Sequence, residues 1–237
     1  MATDEAARAY LQSRGITALP VTIIDDDTVI IGYYPKKLIP ALHLDVQVDL
    51  SGKTSWLAAK YDMMLGATLR AIQQLSNEQL QQHLPWRERW ALRDLMMHVL
   101  SFPELAWLSH QHGSMSTDDM RASNARLSDM QTSEAMAAYG EGVRQHIIAF
   151  LQSNDTAAFD RVVPAHYGGE VTVLELLTII LSHSTHHLKQ AYWFITNELG
   201  VSLVSPVTDE DLEGISLQQP SSEMTKNVRG SAMFALL

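Results

Sequence analysis

The chain has 237 residues, enough for one large domain or two small ones, and its 46% hydrophobic and 19% charged content marks an ordinary globular protein, not a disordered one. A formal net charge of −10 argues against a general nucleic-acid binder, which needs clustered Lys and Arg for phosphates. The absence of cysteine excludes disulfides, thiolate metal ligands and redox chemistry by the protein's own thiols.

The first fifty residues differ in style from the rest of the chain. MATDEAARAY is acidic and has no apolar h-region, so no secretion signal is expected. ATDEAARAYLQSRG predicts a short helix, with Ala6, Ala9, Tyr10 and Leu11 at helical spacing and Gly15 as its stop. PVTIIDD and TVIIGYY are β-branched runs about an aspartate-rich turn, a hairpin signature, and PKKLIPALHL closes the unit as a short helix. This α-β-β-α unit, residues 1–50, buries too little surface to stand alone and must dock on something.

From Lys53 the pattern is helical. In the first long helix Leu57, Tyr61, Met64, Thr68, Ile72 and Leu75 follow steps of three and four, and SNEQL then starts a short segment ended by Pro85. The second, about Ala91 to Ser109, aligns Leu92, Leu95, His98, Phe102 and Leu105, with a kink expected at Pro103. QHGSMSTDDMRASNARLSD reads as a polar loop before a third helix, about Ser133 to Gln152, striped by Met136, Tyr139, Val143, Ile147 and Phe150. A second loop holds Pro164 and Gly168-Gly169. The fourth helix runs from about Thr172 to Leu199, with Val173, Leu176, Ile180, His183, His187, Gln190 and Phe194 in line and Gly200 as its stop. Residues 53–200 thus form a four-helix bundle, and the fold class is mainly α. The polar tail, residues 201–237, is expected to pack across the bundle or a neighbour. No stretch reaches the roughly 18 apolar residues of a membrane span, so no membrane partner and a cytoplasmic location are expected.

Three histidines occupy positions where leucine would give unbroken core lines. His183 and His187 lie four apart, on nearly one face of a helix and about 6 Å apart along its axis. His98 sits on the stripe of another helix. Burying an imidazole costs free energy unless it is hydrogen-bonded or bound to metal. A lone core histidine is more often simply hydrogen-bonded, but three on two stripes favour metal. Neutral imidazoles suit zinc, nickel or iron(II), and three ligands leave a position open for water or substrate. His186 points about 100° away from His187, toward another helix or a pocket rim. His146 borders the third stripe as a possible fourth ligand or an exposed side chain. His110, His112 and His166 are expected to be solvated, and His43 and His83 have no identifiable partner. Asp94 and Gln190 are candidates to orient a ligand, Asp94 more readily as part of a surface ion pair. Tyr61 is a core aromatic whose phenol could face substrate.

Trp90-x3-Asp94-x3-His98 in RWALRDLMMHV, followed downstream by SHSTHHLKQ, resembles the DinB/YfiT-like superfamily of four-helix metalloproteins over about residues 53–200. The resemblance implies His98, His183 and His187 as ligands of a divalent metal, usually nickel or zinc. It also implies a thiol-dependent transferase or isomerase, in which metal-bound water or thiolate is the reactive species. AARAYLQSRGITALPVTIIDDDTVIIGYYPKKLIPAL resembles the C-terminal half of a glutaredoxin. That likeness implies a glutathione-type site at Leu19, Pro20 and Val21, with a cis Leu19-Pro20 bond. The first strand, first helix and Cys-x-x-Cys of that family are missing, so thiol redox activity is excluded, and a docking or dimerisation surface is the plainer role.

Two functions compete. One is a metal-dependent enzyme that activates glutathione or another low-molecular-weight thiol, or water in a hydrolase, against a small-molecule electrophile. The other is a non-catalytic, metal-stabilised binding or stress-response module. A homodimer is expected, because the small N-terminal unit needs a surface.

Overall fold

The computed structural model describes residues 5–16, 21–25, 27–31, 38, 40–43, 52–166 and 169–215. Helix α1 (Glu5–Ser13) precedes an antiparallel pair, β1 (Val21–Ile24) and β2 (Thr28–Ile31), in which Val21 faces Ile31 and Ile24 faces Thr28. Leu19 and Pro20, and with them the expected cis bond, lie outside the described residues; Val21 is half-buried in β1. The closing helix expected in PKKLIPALHL falls partly outside them. Ile30 is buried in the same core as the bundle, and Ile24, Leu38 and Ala41 pack against that core. The hairpin therefore finds its docking surface on its own chain.

Four long helices build the rest: α2 (Lys53–Gln73), α4 (Leu92–His112), α6 (Ser133–Gln152) and α8 (Val173–Asn197). Between them lie α3 (Asn77–Leu80), β3 (His83–Leu84), β4 (Arg87–Ala91), α5 (Thr117–Arg126), α7 (Thr156–Asp160), β5 (Val162–Pro164) and β6 (Glu170–Thr172). The most extensive contacts join α2 to α6 and α4 to α8. Lesser contacts of α4 with α6 and of α8 with α2 close the bundle. The predicted stripes are the core: Leu57, Tyr61, Met64, Thr68 and Ile72 on α2, with Leu75 just past its end, are all buried, as are Met136, Val143, Ile147 and Phe150 on α6. Tyr61 is wholly buried, and its hydroxyl donates to the Leu177 carbonyl at 2.6 Å, joining α2 to α8. The phenol is thus committed to backbone and does not face substrate.

Helix starts follow their caps. Thr172 accepts from Glu175 N at 3.2 Å while the Glu175 carboxylate accepts from Thr172 N at 2.9 Å, so α8 begins at Val173 with Thr172 as its cap. The same reciprocal pattern at Ser116 and Asp119 starts α5 inside the segment expected to be a polar loop. That helix has a charged, largely polar sequence without an apolar stripe; the cap is its only signal. At Pro103, α4 continues despite the missing N–H, and it reaches His112. Two short hairpins also form: β5–β6 replaces part of the expected second loop, and β3–β4 turns through Pro85, the expected end of the short segment. Leu84 pairs with Arg87 across Pro85-Trp86, and Val163 pairs with Val171.

Beyond α8, residues 201–215 strap α2 and α8. Leu212 and Ile215 are buried, Lys60 donates to the Asp211 carbonyl at 2.6 Å, and Lys189 pairs with Asp209 at 2.7 Å. The apolar AMFALL end lies outside the described residues. Among those described, no helix is long and apolar enough to cross a membrane.

Close approach of three helices occurs at Gly140 on α6. A Cβ there would lie 2.6 Å from Leu69 Cδ2 and 2.9 Å from Leu100 Cδ1. Both leucines are buried and have little room to turn. Gly140→Ala is expected to destabilise the fold by about 1–3 kcal/mol through overpacking. Urea denaturation checks this, and an unchanged midpoint would mean that α6 packs less closely than described.

Candidate metal centre

α4 and α8 are neighbours because each buries an apolar stripe against the other, and the histidines lie where those stripes meet. His98 Nε2 and His183 Nε2 are 2.9 Å apart. The ring centroids are 5.1 Å apart for His98–His183, 4.8 Å for His98–His187 and 4.5 Å for His183–His187. One ligand atom from each ring lies within 4.8 Å of the other two. Tetrahedral ligation with metal–nitrogen bonds of about 2.0–2.1 Å would set such donors about 3.3 Å apart, so the rings would close toward that spacing around a divalent ion. Without an ion, the contact between two Nε2 atoms needs one of them to carry its hydrogen. With one, both lone pairs can be used. Among the described residues no carboxylate and no fourth histidine joins the group.

Burial sets the protonation of all three. It pushes His98 well below the usual imidazole range, with smaller contributions from His187, His183, Arg87 and His166. Burial likewise takes His183 down to about 3, helped by His187, His166, His186 and Arg87. His187 falls to about 4, again chiefly by burial, although its hydrogen bond to Gln190 acts in the opposite direction. Near neutral pH the rings are uncharged, which is the form that ligates metal.

The surrounding side chains fix ring orientation. Phe102 stacks on His183 at 5.1 Å and lies 3.9 Å from the His98 centroid; Trp90 meets His98 edge-to-face at 5.3 Å. Gln190, one turn along α8, bridges two histidines. Its Oε1 accepts from His187 Nδ1 at 2.8 Å, and its Nε2 donates to His186 Nε2 at 2.9 Å. This leaves the lone pair of His187 on Nε2 and gives His186 a role beside the site rather than in it. Arg87, on β4, lies with its guanidinium carbon 4.2 Å from the Trp90 ring centroid.

The other sequence candidates separate from the group. Asp94 accepts from Ala91 N at 2.9 Å and pairs with Arg93 at 2.8 Å, so it caps α4 and orients no histidine. His146 stacks on Trp107 at 4.9 Å, and His110 stacks on Phe150 at 4.6 Å, both away from the three. His112 and His43 are exposed, and His83 Nδ1 donates to the Glu88 carbonyl at 3.0 Å. His166 is a different case. Its sequence context suggests a solvated loop, yet it meets Phe102 edge-to-face at 5.8 Å, and burial lowers its pKa. Arg87 is the residue that sequence reasoning misses. Its signal is the basic–aromatic run Trp86-Arg87-Glu88-Arg89-Trp90 immediately before a helix.

The sequence model of the DinB superfamily matches residues 60–191. This is more than half of the chain, which belongs to that superfamily. The matched span contains all three histidines and Gln190. Comparisons with curated proteins and with solved structures gave no match.

The tautomer set by Gln190 has a measurable consequence. Gln190→Leu is expected to weaken zinc or cobalt affinity about 10–100-fold, the usual effect of losing a partner behind a ligating histidine. Chelator competition reads it, and an unchanged affinity would remove Gln190 from the site.

Proposed function

We propose that the chain is a divalent-metal-dependent enzyme in which His98, His183 and His187 hold zinc, nickel or iron(II). It would use glutathione or another low-molecular-weight thiol to act on a small electrophile, as a transferase or isomerase. The observation that carries this reading is the convergence of three uncharged imidazoles with no fourth side-chain donor among the described residues. When bound, the ion would lower the pKa of a thiol or water on its open side. The chain's own contribution is orientation and exclusion of water. Gln190 holds His187 in one tautomer, Phe102 backs His98 and His183, and Trp90 shields the edge of His98. In this reading the thiol binds at the metal rather than at Leu19, Pro20 and Val21.

A second reading, a metal-stabilised module that binds a partner away from the ion, has one observation in its favour. Two surface grooves of about 400 and 570 Å³ run along α2 and α6, on the helix pair that lacks the histidines. The first is lined by Asp62, Arg70, Glu141 and Arg144 and is strongly polar. A metal-dependent hydrolase would use the enzymatic arrangement with water in place of thiol.

Elemental analysis of the purified protein, followed by glutathione conjugation to 1-chloro-2,4-dinitrobenzene and ester hydrolysis with and without chelator, separates these readings. The expected result is one divalent metal per chain and a chelator-sensitive conjugation. His98→Ala is expected to lose metal and activity while its Tm falls by only a few degrees. A collapse of Tm on metal loss would favour the structural module, and a protein that neither carries nor accepts metal would overturn both.

We also propose that residues 1–50, 53–200 and 201–237 are an N-terminal unit, a bundle and a tail, and that the protein is a homodimer joined through the first of these. Tyr10, Val29 and Leu42 are exposed hydrophobics on that unit. Light scattering should give twice the 26.4 kDa chain mass, and a monomer overturns the dimer.

A further inference from the structure

The charge around the three histidines is unbalanced. If they hold a divalent ion, three neutral imidazoles bring no negative charge to it, and no carboxylate among the described residues joins them. Among the described residues whose charge acts on His98, His183 and His187 there is no carboxylate, but Arg87 acts on all three. The nearest acid in sequence to His98, Asp94, is already committed to Arg93 and to the N-terminus of α4. A second positive charge beside a metal site raises the cost of binding a cation there and lowers the cost of binding an anion.

The Arg87 side chain rests on an aromatic ring rather than in an ion pair. It is exposed, and no carboxylate among the described residues pairs with it. Its guanidinium lies over the Trp90 ring at 4.2 Å, and the same ring meets His98 at 5.3 Å. Trp90 thus forms a physical link between the cation and a ligand. The backbone beneath is fixed by the β3–β4 hairpin, which Trp86 anchors on α8 through Trp193 at 5.6 Å and Phe194 at 5.9 Å. A guanidinium placed on an aromatic face keeps its N–H edge available, and that edge matches the two oxygens of a carboxylate or phosphate.

We propose that Arg87 is a specificity-determining residue, selecting substrates that carry an oxyanion group, a carboxylate or a phosphate, beside the atom that meets the metal. This rests on the metal-centre reading above and adds the charge class of its substrate. The oxyanion is bound by Arg87 on the Trp90 platform while the reacting group of the same molecule reaches the open side of the three histidines. Uncharged molecules with the same reacting group bind without this selection.

The test uses cobalt(II)-loaded full-length protein and three thiols that share one metal-binding group: 3-mercaptopropionate, 2-mercaptoethyl phosphate and the neutral methyl 3-mercaptopropionate. Affinity is read from the thiolate-to-cobalt charge-transfer band. The wild type should favour at least one anionic thiol over the ester by about tenfold, the scale of a charge-assisted hydrogen bond. The favoured one identifies carboxylate or phosphate as the natural group. Arg87→Gln should abolish the preference for the anionic thiol over the ester while leaving cobalt content and melting temperature unchanged, and Arg87→Lys should restore it in part. Equal preference in wild type and Arg87→Gln, or none in the wild type, overturns the proposal. A wild type that takes up no cobalt overturns the metal-centre reading and this proposal with it, and is recognised by its empty visible spectrum.

Discussion

Everything at the candidate site depends on the burial of three imidazoles between α4 and α8. Burial makes an uncharged ring much cheaper than a charged one, so the same packing that builds the core also delivers the ligating form. The usual cost of placing polar rings in a core is offset here by their mutual contact, by Gln190 and by the faces of Phe102 and Trp90. Core packing and site chemistry are one interaction seen from two sides.

The bundle divides its labour around that seam. The α2–α6 pair supplies close packing, tight enough at Gly140 for the backbone to meet Leu69 and Leu100. Tyr61 then ties α2 to α8 through the Leu177 carbonyl, and the strap of residues 201–215 crosses the same two helices. The α4–α8 pair packs through its own apolar stripes, and the three histidines sit where those stripes meet. The polar elements that border the site come from short hairpins: β4 brings Arg87 and Trp90, and the turn after β5 brings His166.

The long helices are legible because burial repeats along them with the period of the α-helix, and every residue of the predicted α2 stripe is buried. Short elements have no such period. β3–β4 is two and five residues long, and three of the five are the charged residues Arg87, Glu88 and Arg89, so no alternation is visible. α5 lacks an apolar face, and only its Ser116–Asp119 cap marks it. The smallness of the N-terminal hairpin calls for a docking surface without saying where it lies. Ile30 enters the core of its own bundle, so the hairpin docks within its own chain.

Which side chains share a face is a local matter, and the amino-acid order alone settles it. Periodicity places His183 and His187 one turn apart and puts His98 on a core line, because helix geometry fixes those directions whatever the rest of the chain does. Which stripes meet is decided only when the helices pack, since their pairing depends on the fit of whole surfaces rather than on local spacing. That pairing alone brings His98 Nε2 to within 2.9 Å of His183 Nε2, leaves His146 aside on Trp107, and sets Arg87 over Trp90 at the edge of the site.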